Sequence, residues 1–432
     1  MTLKIFSKSQ TLMADYKSKV VVIIPSKVVK NTFIDSGSMD KLSAESDLIF
    51  FRSPDVDFFN NSKSIDLNLA NNKIVSRFDI FFWYFYLFVN FRRIGAQPEK
   101  SFKAAELKFF FLYLFKLISS PVFSWIFKII DYFCSRNKIA RSALHKESPD
   151  LIIAPASAMD SYSYYFIREA RALNIPCAMI VSHWDYFSKK GLRIIPDRLY
   201  VWGNDMYRTV LDSHFIPRKN VCILGAPHFD RYISSPYFNS PITSKINHNF
   251  RILFAGTSIP FDEENELAKL DRHIEKNKLN VSLIYKPHPR AWNRKSKGTY
   301  SYKHTKFFDG ADYDQLLLLA DGLITPFSSM ILEFALIGKP SLAIIYNDNL
   351  NDWKFGEMNN EEHIKMLVQH NWLNVCKESN RLEELFDEFI EKLADSDNAR
   401  RIKLKVKNTV FYSKANSFSE RLYEDLSINF KI

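Results

Sequence analysis

Two stretches decide the fold: Val281 to Arg290 (VSLIYKPHPR) and Leu323 to Pro340 (LITPFSSMILEFALIGKP). In each, an apolar β-type run stops abruptly at Pro, His or Ser. The pattern predicts a strand whose carboxyl end opens into a loop and then a helix. Polar groups at that end stand where open α/β sheets bind their ligands.

In the second stretch, Leu323 to Thr325 ends at Pro326, and Ser328 and Ser329 precede the helical run Met330 to Ile337. Serine is a good helix N-cap, and first-turn amides, two hydroxyls and the helix dipole suit a phosphate. Glu333 lies one turn further in, suited to accept hydrogen bonds from ribose hydroxyls. An ordinary capped helix accounts for this junction equally well when it is taken alone. Gly338-Lys339-Pro340 stops the helix and starts a strand over Ser341 to Tyr346. In the first stretch, two prolines hold the loop extended, so His288 projects from a fixed backbone between Lys286 and Arg290.

A strand ending in KPHP, followed about 40 residues later by T-x-x-S-S-x-x-x-E-x-x-x-x-G-K-P, resembles the nucleotide-binding domain of GT-B-fold transferases of bacterial surface polysaccharides. The likeness is to CDP-glycerol glycerophosphotransferases and CMP-sugar transferases, and it covers roughly residues 150 to 345. It implies two Rossmann-like domains facing a cleft. Lys286, His288, Pro289, Arg290, Thr325, Ser328, Ser329 and Glu333 would then hold a nucleotide-activated donor, of CMP or CDP type rather than UDP. The small turn Gly256-Thr257-Ser258 allows close approach of a phosphate or acceptor, and is equally an ordinary βα turn. The implied activity is metal-independent transfer of a sugar or polyol-phosphate unit to a growing capsule, O-antigen or teichoic-acid-like glycan, free or lipid-linked. No resident cofactor is expected. A non-hydrolysing sugar-nucleotide 2-epimerase shares the architecture, and a catalytically silent glycan-binding protein is the other rival.

Upstream, strands over Asp150 to Pro155, Ile175 to Val181 and Leu199 to Gly203 alternate with a helix over Tyr162 to Leu173, as in a parallel doubly wound sheet. Val221 to Tyr232 resembles the strand and G-x-P-x-x-D segment that closes the N-terminal domain in such enzymes. Gly225, Pro227 and Asp230 read as a turn and helix cap. The loop Ser182 to Gly191 (SHWDYFSKKG) resembles an S-x-W-D-N-x-x-x-K-G loop, with Tyr186 in place of Asn. It suggests Asp185 or His183 as general base for an acceptor hydroxyl and Lys189 or Lys190 for a phosphate or acidic acceptor. The alternative is that Trp184 fills the core and Asp185 caps the next segment. After the first strand, Lys19 to Pro25, a loop carries Asn31, Asp35, Ser36 and Gly37 on the acceptor side.

The 432 residues exceed a single core and fit two domains, 19–236 and 250–404, joined by a polar linker over Tyr237 to Asn249. A last helical stretch, about 405–426, is expected to cross back onto the N-terminal domain. Cys134, Cys177, Cys222 and Cys376 show no C-x-x-C spacing, which points away from zinc and disulfides and toward a reducing cytoplasm. Met1 to Asp15 lacks the apolar core of a signal peptide. Asp312-Tyr313-Asp314 reads as a helix cap rather than a metal motif, and the spacing of Trp353, Glu357 and His363 selects none of them.

The formal charge of +11 is concentrated: Phe91 to Lys146 holds eleven Lys or Arg against Glu99, Glu106 and Asp131, interleaved with aromatics. This reads as an aromatic-basic helical insertion in the N-terminal domain. Phe109 to Ile130 is nearly long enough to span a bilayer, but Lys116, Ser119-Ser120, Pro121 and Lys128 argue against it. The composition suits an anionic membrane interface, placing the protein peripherally on the inner face of the inner membrane; core helices with solvated flanks are the alternative. No nucleic-acid-binding motif accompanies the charge.

Overall fold

The apolar runs pair into two all-parallel sheets. The first has the order β3-β2-β1-β4-β5-β6-β7, with β1 Lys19–Ile24, β2 Asp47–Arg52, β3 Lys63–Asp66, β4 Leu151–Ala156, β5 Cys177–Val181, β6 Arg198–Val201 and β7 Val221–Ile223. The second has the order β10-β9-β8-β11-β12-β13, with β8 Phe250–Ala255, β9 Val281–Lys286, β10 Thr305–Phe307, β11 Gly322–Thr325, β12 Ser341–Ile344 and β13 Asn374–Cys376. The computed structural model describes residues 17–57, 63–69, 73–93, 107, 109–156, 160–189, 192–214, 216–234, 249–258, 261–288, 301–308, 313–326, 328–347 and 361–432.

Both orders are the doubly wound arrangement, in which strand order reverses beside the first strand of the sheet and opens a crevice there. The central strands are buried on both faces, as β4 and β12 show throughout their length. That is why they read as unbroken apolar runs rather than alternating ones. Two Rossmann-like domains therefore face each other, as expected. The short, partly exposed strands β3, β10 and β13 carry too little apolar length to announce themselves.

Two expectations need correction, and a third is not tested. The segment after β1 is not a loop: helix Lys27–Lys30 runs directly into a wider, π-type turn over Asn31–Asp35. Gly37 follows with φ of 73°. The terminal helical stretch is two helices, Ser396–Val406 and Phe418–Phe430, separated by an irregular crossing. The linker expected over Tyr237 to Asn249 lies outside the described residues except for Asn249.

The crossing fixes the last helix on the first sheet. Phe418, Leu422 and Leu426 enter the core formed by Val20, Val22 and Ile153. Asp230 accepts a hydrogen bond from Phe418 N, and Arg421 donates to Leu224 O at 2.7 Å. Arg198 pairs with Asp425 through both carboxylate oxygens. Gly225, with φ of 96°, sits where a Cβ would stand 2.3 Å from Phe411 O, so no larger residue lets the crossing chain approach.

The aromatic insertion divides its side chains between two uses. Phe82, Phe85, Phe88, Phe91, Phe115 and Ile118 form a separate buried cluster. Helices Phe109–Ile118 and Pro121–Cys134 meet at 93°, and Pro121 begins the second of them. Their outer faces expose Phe109, Phe110, Val122, Trp125 and Phe133, at 75% for Phe109 and 58% for Trp125. Among the described residues no single helix is long and apolar enough to cross a membrane.

Inside the insertion, a charged network holds it to the rest of the domain. Asp131, fully buried, receives Arg193 at 2.5 Å, Arg168 at 3.3 Å and the Tyr86 hydroxyl at 3.1 Å. Arg193 also reaches Asp79 at 2.9 Å, and Asn90 donates to Phe187 O at 3.0 Å.

Candidate functional site

A cavity of about 520 Å³ opens between the carboxyl ends of the two sheets. Its first wall comes from the segment after β1 (Val28, Asn31, Thr32), the loop after β5 (Ser182 to Asp185), Trp202, His228 and Arg231. The second wall comes from Gly256 to Ser258 after β8, His288 after β9, and Ser328 and Ser329 after β11, with His363 at the edge. Strand ends at both reversals of strand order thus converge on one space, as the doubly wound rule requires of a ligand site.

The Gly256 turn is held by a group the sequence did not single out. Glu263, 7% exposed, accepts from Thr257 N at 2.7 Å and from the Tyr285 hydroxyl at 2.6 Å. A Cβ on residue 256 would meet Glu263 Oε2 at 2.4 Å and His288 N at 2.9 Å. Glycine is therefore required where the turn, its anchoring carboxylate and the histidine loop meet.

Of the residues proposed for the donor, Gly256, Thr257, His288, Ser328 and Ser329 line the cavity. Lys286 ends β9 and accepts from Gly256 N through its carbonyl at 2.9 Å, outside the lining set. Thr325 is buried in β11, its hydroxyl without a hydrogen-bond partner among the described residues, and it does not line the cavity. Ser329 starts helix Met330–Leu336 without capping it through its side chain, and Ser328 Oγ accepts from Met330 N at 3.3 Å. Pro289 and Arg290 lie outside the described residues, as do Lys190, Asp312, Trp353 and Glu357.

Glu333 does not reach the lining. It is buried in the helix, and burial pushes its carboxyl up to about 8, opposed by the charge of Arg231. A carboxyl that holds its proton only when folded makes the unfolded state bind fewer protons between the ordinary value near 4.3 and 8, so its contribution to stability falls as pH rises through that window. Glu333→Gln removes this slope. The expected outcome is a urea midpoint that gains on wild type at pH 8 and not at pH 4.5; equal gains at both would refute the assignment.

Of the residues expected to serve an acceptor, Asn31, His183 and Asp185 line the cavity. Ser36 instead donates to Thr32 O at 2.5 Å and, with Gly37, belongs to the turn behind it. Lys189 closes helix Tyr186–Lys189, with its side chain outside the described residues. Trp184 is half-buried and meets the His363 ring edge-on at 4.5 Å, so it spans the two domains at the cavity rim rather than filling a core.

The sequence reading passed over His228, Arg231, Trp202 and Ser182. His228 lies inside the G-x-P-x-x-D segment and Arg231 directly after it; the glycine and aspartate of that segment are structural, and these two neighbours carry the polar groups that line the cavity. Asp230 itself satisfies the amide of Phe418.

Residues 196–426, just over half of the chain, match the family model described as CDP-Glycerol:Poly(glycerophosphate) glycerophosphotransferase. The chain belongs to that family. The resemblance drawn from KPHP and the paired serines is thereby borne out, and the chain takes its place among transferases. A search of curated proteins finds no match for this glycerophosphotransferase-family chain. Among solved structures it is similar to the S. aureus MnaA co-structure with UDP (TM-score 0.53, 13% identity, 96% of this chain and 97% of the other covered). A putative UDP-N-acetylglucosamine 2-epimerase from Listeria monocytogenes gives 0.53, 12%, 96% and 97%. The glycotransferase of kitacinnamycin gives 0.54, 9%, 96% and 99%. At these identities the likeness shows the fold alone.

Proposed function

We propose that this member of the glycerophosphotransferase family moves a sugar or polyol-phosphate unit from a nucleotide-activated donor to a growing surface glycan. The observation that carries the reading is the single cavity where both sheets end, with histidine, hydroxyls and backbone turns on one wall and a His-Trp-Asp loop on the other. Transfer of this kind needs the departing nucleotide phosphate stabilised and the acceptor hydroxyl deprotonated. His288, Ser328, Ser329 and the Gly256 to Ser258 turn serve the first need. Asp185 or His183, across the cleft, serves the second. The reading is metal-independent, and CMP or CDP is the preferred nucleotide. The decisive test is unfolding temperature with CMP, CDP and UDP: a ligand at a hundred times its dissociation constant adds about 2.7 kcal/mol. The expected order is cytidine nucleotides above UDP; no shift with any of them overturns the donor assignment.

The exposed aromatic face of helices Phe109–Ile118 and Pro121–Cys134, with Lys116 and Lys128 within it and Arg92 and Arg93 nearby in sequence, supports a peripheral position on an anionic inner membrane face. The protein is expected to float with anionic vesicles, less so as salt rises, because charges beyond a Debye length are screened. Apolar burial should leave a salt-resistant remnant. Wild type remaining in the soluble fraction at low salt would assign that face to another partner.

A further inference from the structure

Four of the ten histidines line the cavity, and one of them, His228, is built differently from the rest. It sits in the tight turn Pro227–Phe229, fastened by Ser38 Oγ donating to Pro227 O at 3.2 Å and Phe229 N donating to Ala226 O at 3.1 Å. Its ring lies between Trp202, with centroids 5.5 Å apart, and Phe229, at 4.2 Å. These contacts fix the ring plane. Nδ1 is sealed from solvent and has no hydrogen-bond partner among the described residues. Nε2 is therefore the nitrogen left to face the space that the residue lines.

The proton follows from this arrangement. A buried N–H without an acceptor carries the full desolvation penalty of about 1–3 kcal/mol, while an unused lone pair is better tolerated. The neutral ring thus keeps its hydrogen on Nε2, pointing at the cavity. A second proton would have to go on the sealed Nδ1, beside two aromatic rings. Arg231, one turn along the chain, and His183, from the loop after β5, oppose it further; Asp185, His288 and His363 are the other titratable groups of the lining. Burial and these two neighbours push His228 down to about 3.

We propose that His228 is a permanently neutral hydrogen-bond donor whose Nε2–H holds a phosphate oxygen of the bound donor from the N-terminal wall, opposite His288, Ser328 and Ser329. The inference rests on the reading of the cavity as a donor site and adds to it a second wall of phosphate contacts. The group is then gripped by both domains, so binding draws them together. A neutral donor keeps its proton and its grip throughout the range in which an ordinary histidine, with a pKa near 6.5, changes charge.

The test uses the full chain labelled with 15N-histidine. His228 is expected to show the Nε2–H tautomer unchanged from pH 5 to 8, and to shift at Nε2 on addition of CDP or inorganic pyrophosphate. His228→Phe should weaken CDP binding about tenfold, the loss of one hydrogen bond to a charged group, while His228→Gln, which retains an N–H, recovers most of it. A ring that titrates near 6.5, carries its proton on Nδ1, or does not respond to CDP that binds elsewhere in the cavity overturns the proposal and leaves the donor reading standing. Failure of the wild type to bind CDP, UDP and pyrophosphate alike would overturn both.

Discussion

Asp131→Ala is expected to destabilise the protein by about 3–5 kcal/mol, the cost of leaving buried charge without its partner. Asp131 is fully buried, and its carboxylate is shared by Arg193, Arg168, the Tyr86 hydroxyl and Ser135 Oγ, the last at 2.7 Å. Removal strands Arg168, whose side chain is 10% exposed, and leaves Arg193, 6% exposed, with Asp79 as its remaining carboxylate. Asp131→Asn, which keeps an acceptor but not the charge, should cost less. The double change Asp131→Leu with Arg168→Met should recover part of the loss, because Arg193 keeps Asp79 and an apolar pair needs no counter-charge. Urea midpoints give the answer, and a loss below about 1 kcal/mol for Asp131→Ala would show that water or another carboxylate takes over the pairing.

The same network has a bearing on the cavity. Arg193 N donates to the Tyr164 hydroxyl at 3.2 Å, which in turn meets the Tyr186 hydroxyl at 3.2 Å, immediately after Asp185. Loosening the insertion is thus expected to loosen the loop that carries His183 and Asp185.

His288→Ala, and separately Ser328→Ala combined with Ser329→Ala, are each expected to weaken nucleotide binding roughly 10- to 100-fold, corresponding to charge-assisted hydrogen bonds of about 1.5–3 kcal/mol. Stability should hardly change, since His288 and Ser328 are half-buried and Ser329 is exposed at the cavity surface. Calorimetry with the cytidine and uridine nucleotides that bind wild type is the measurement. Unchanged affinity for all of them would remove these residues from the donor site.

How much was legible varied with the kind of signal. The strands Val281–Lys286 and Gly322–Thr325 lie within a residue or two of where their patterns put them, because buried parallel strands are continuous apolar runs. His288 and the paired serines stood out because prolines and small residues interrupt such runs at strand ends. His228 did not, since nothing in GAPHFD distinguishes a histidine aimed at a cavity from one aimed at solvent. The π-type turn at Asn31–Asp35 and the break between the last two helices were hidden for a related reason: both depend on what the backbone packs against.

By itself, the sequence determined the two parallel sheets, the family and the loops at the ends of β9 and β11, because these follow from periodicity and from residues whose backbone preferences act over a few positions. Only the tertiary structure decided which side chains meet. It set Glu263 behind Gly256, turned Glu333 into a buried neutral acid, brought Asp230 to the amide of Phe418 and sealed one nitrogen of His228. Such contacts join residues far apart in the chain, and their chemistry is set by burial and neighbouring charge, quantities that no local stretch of sequence carries.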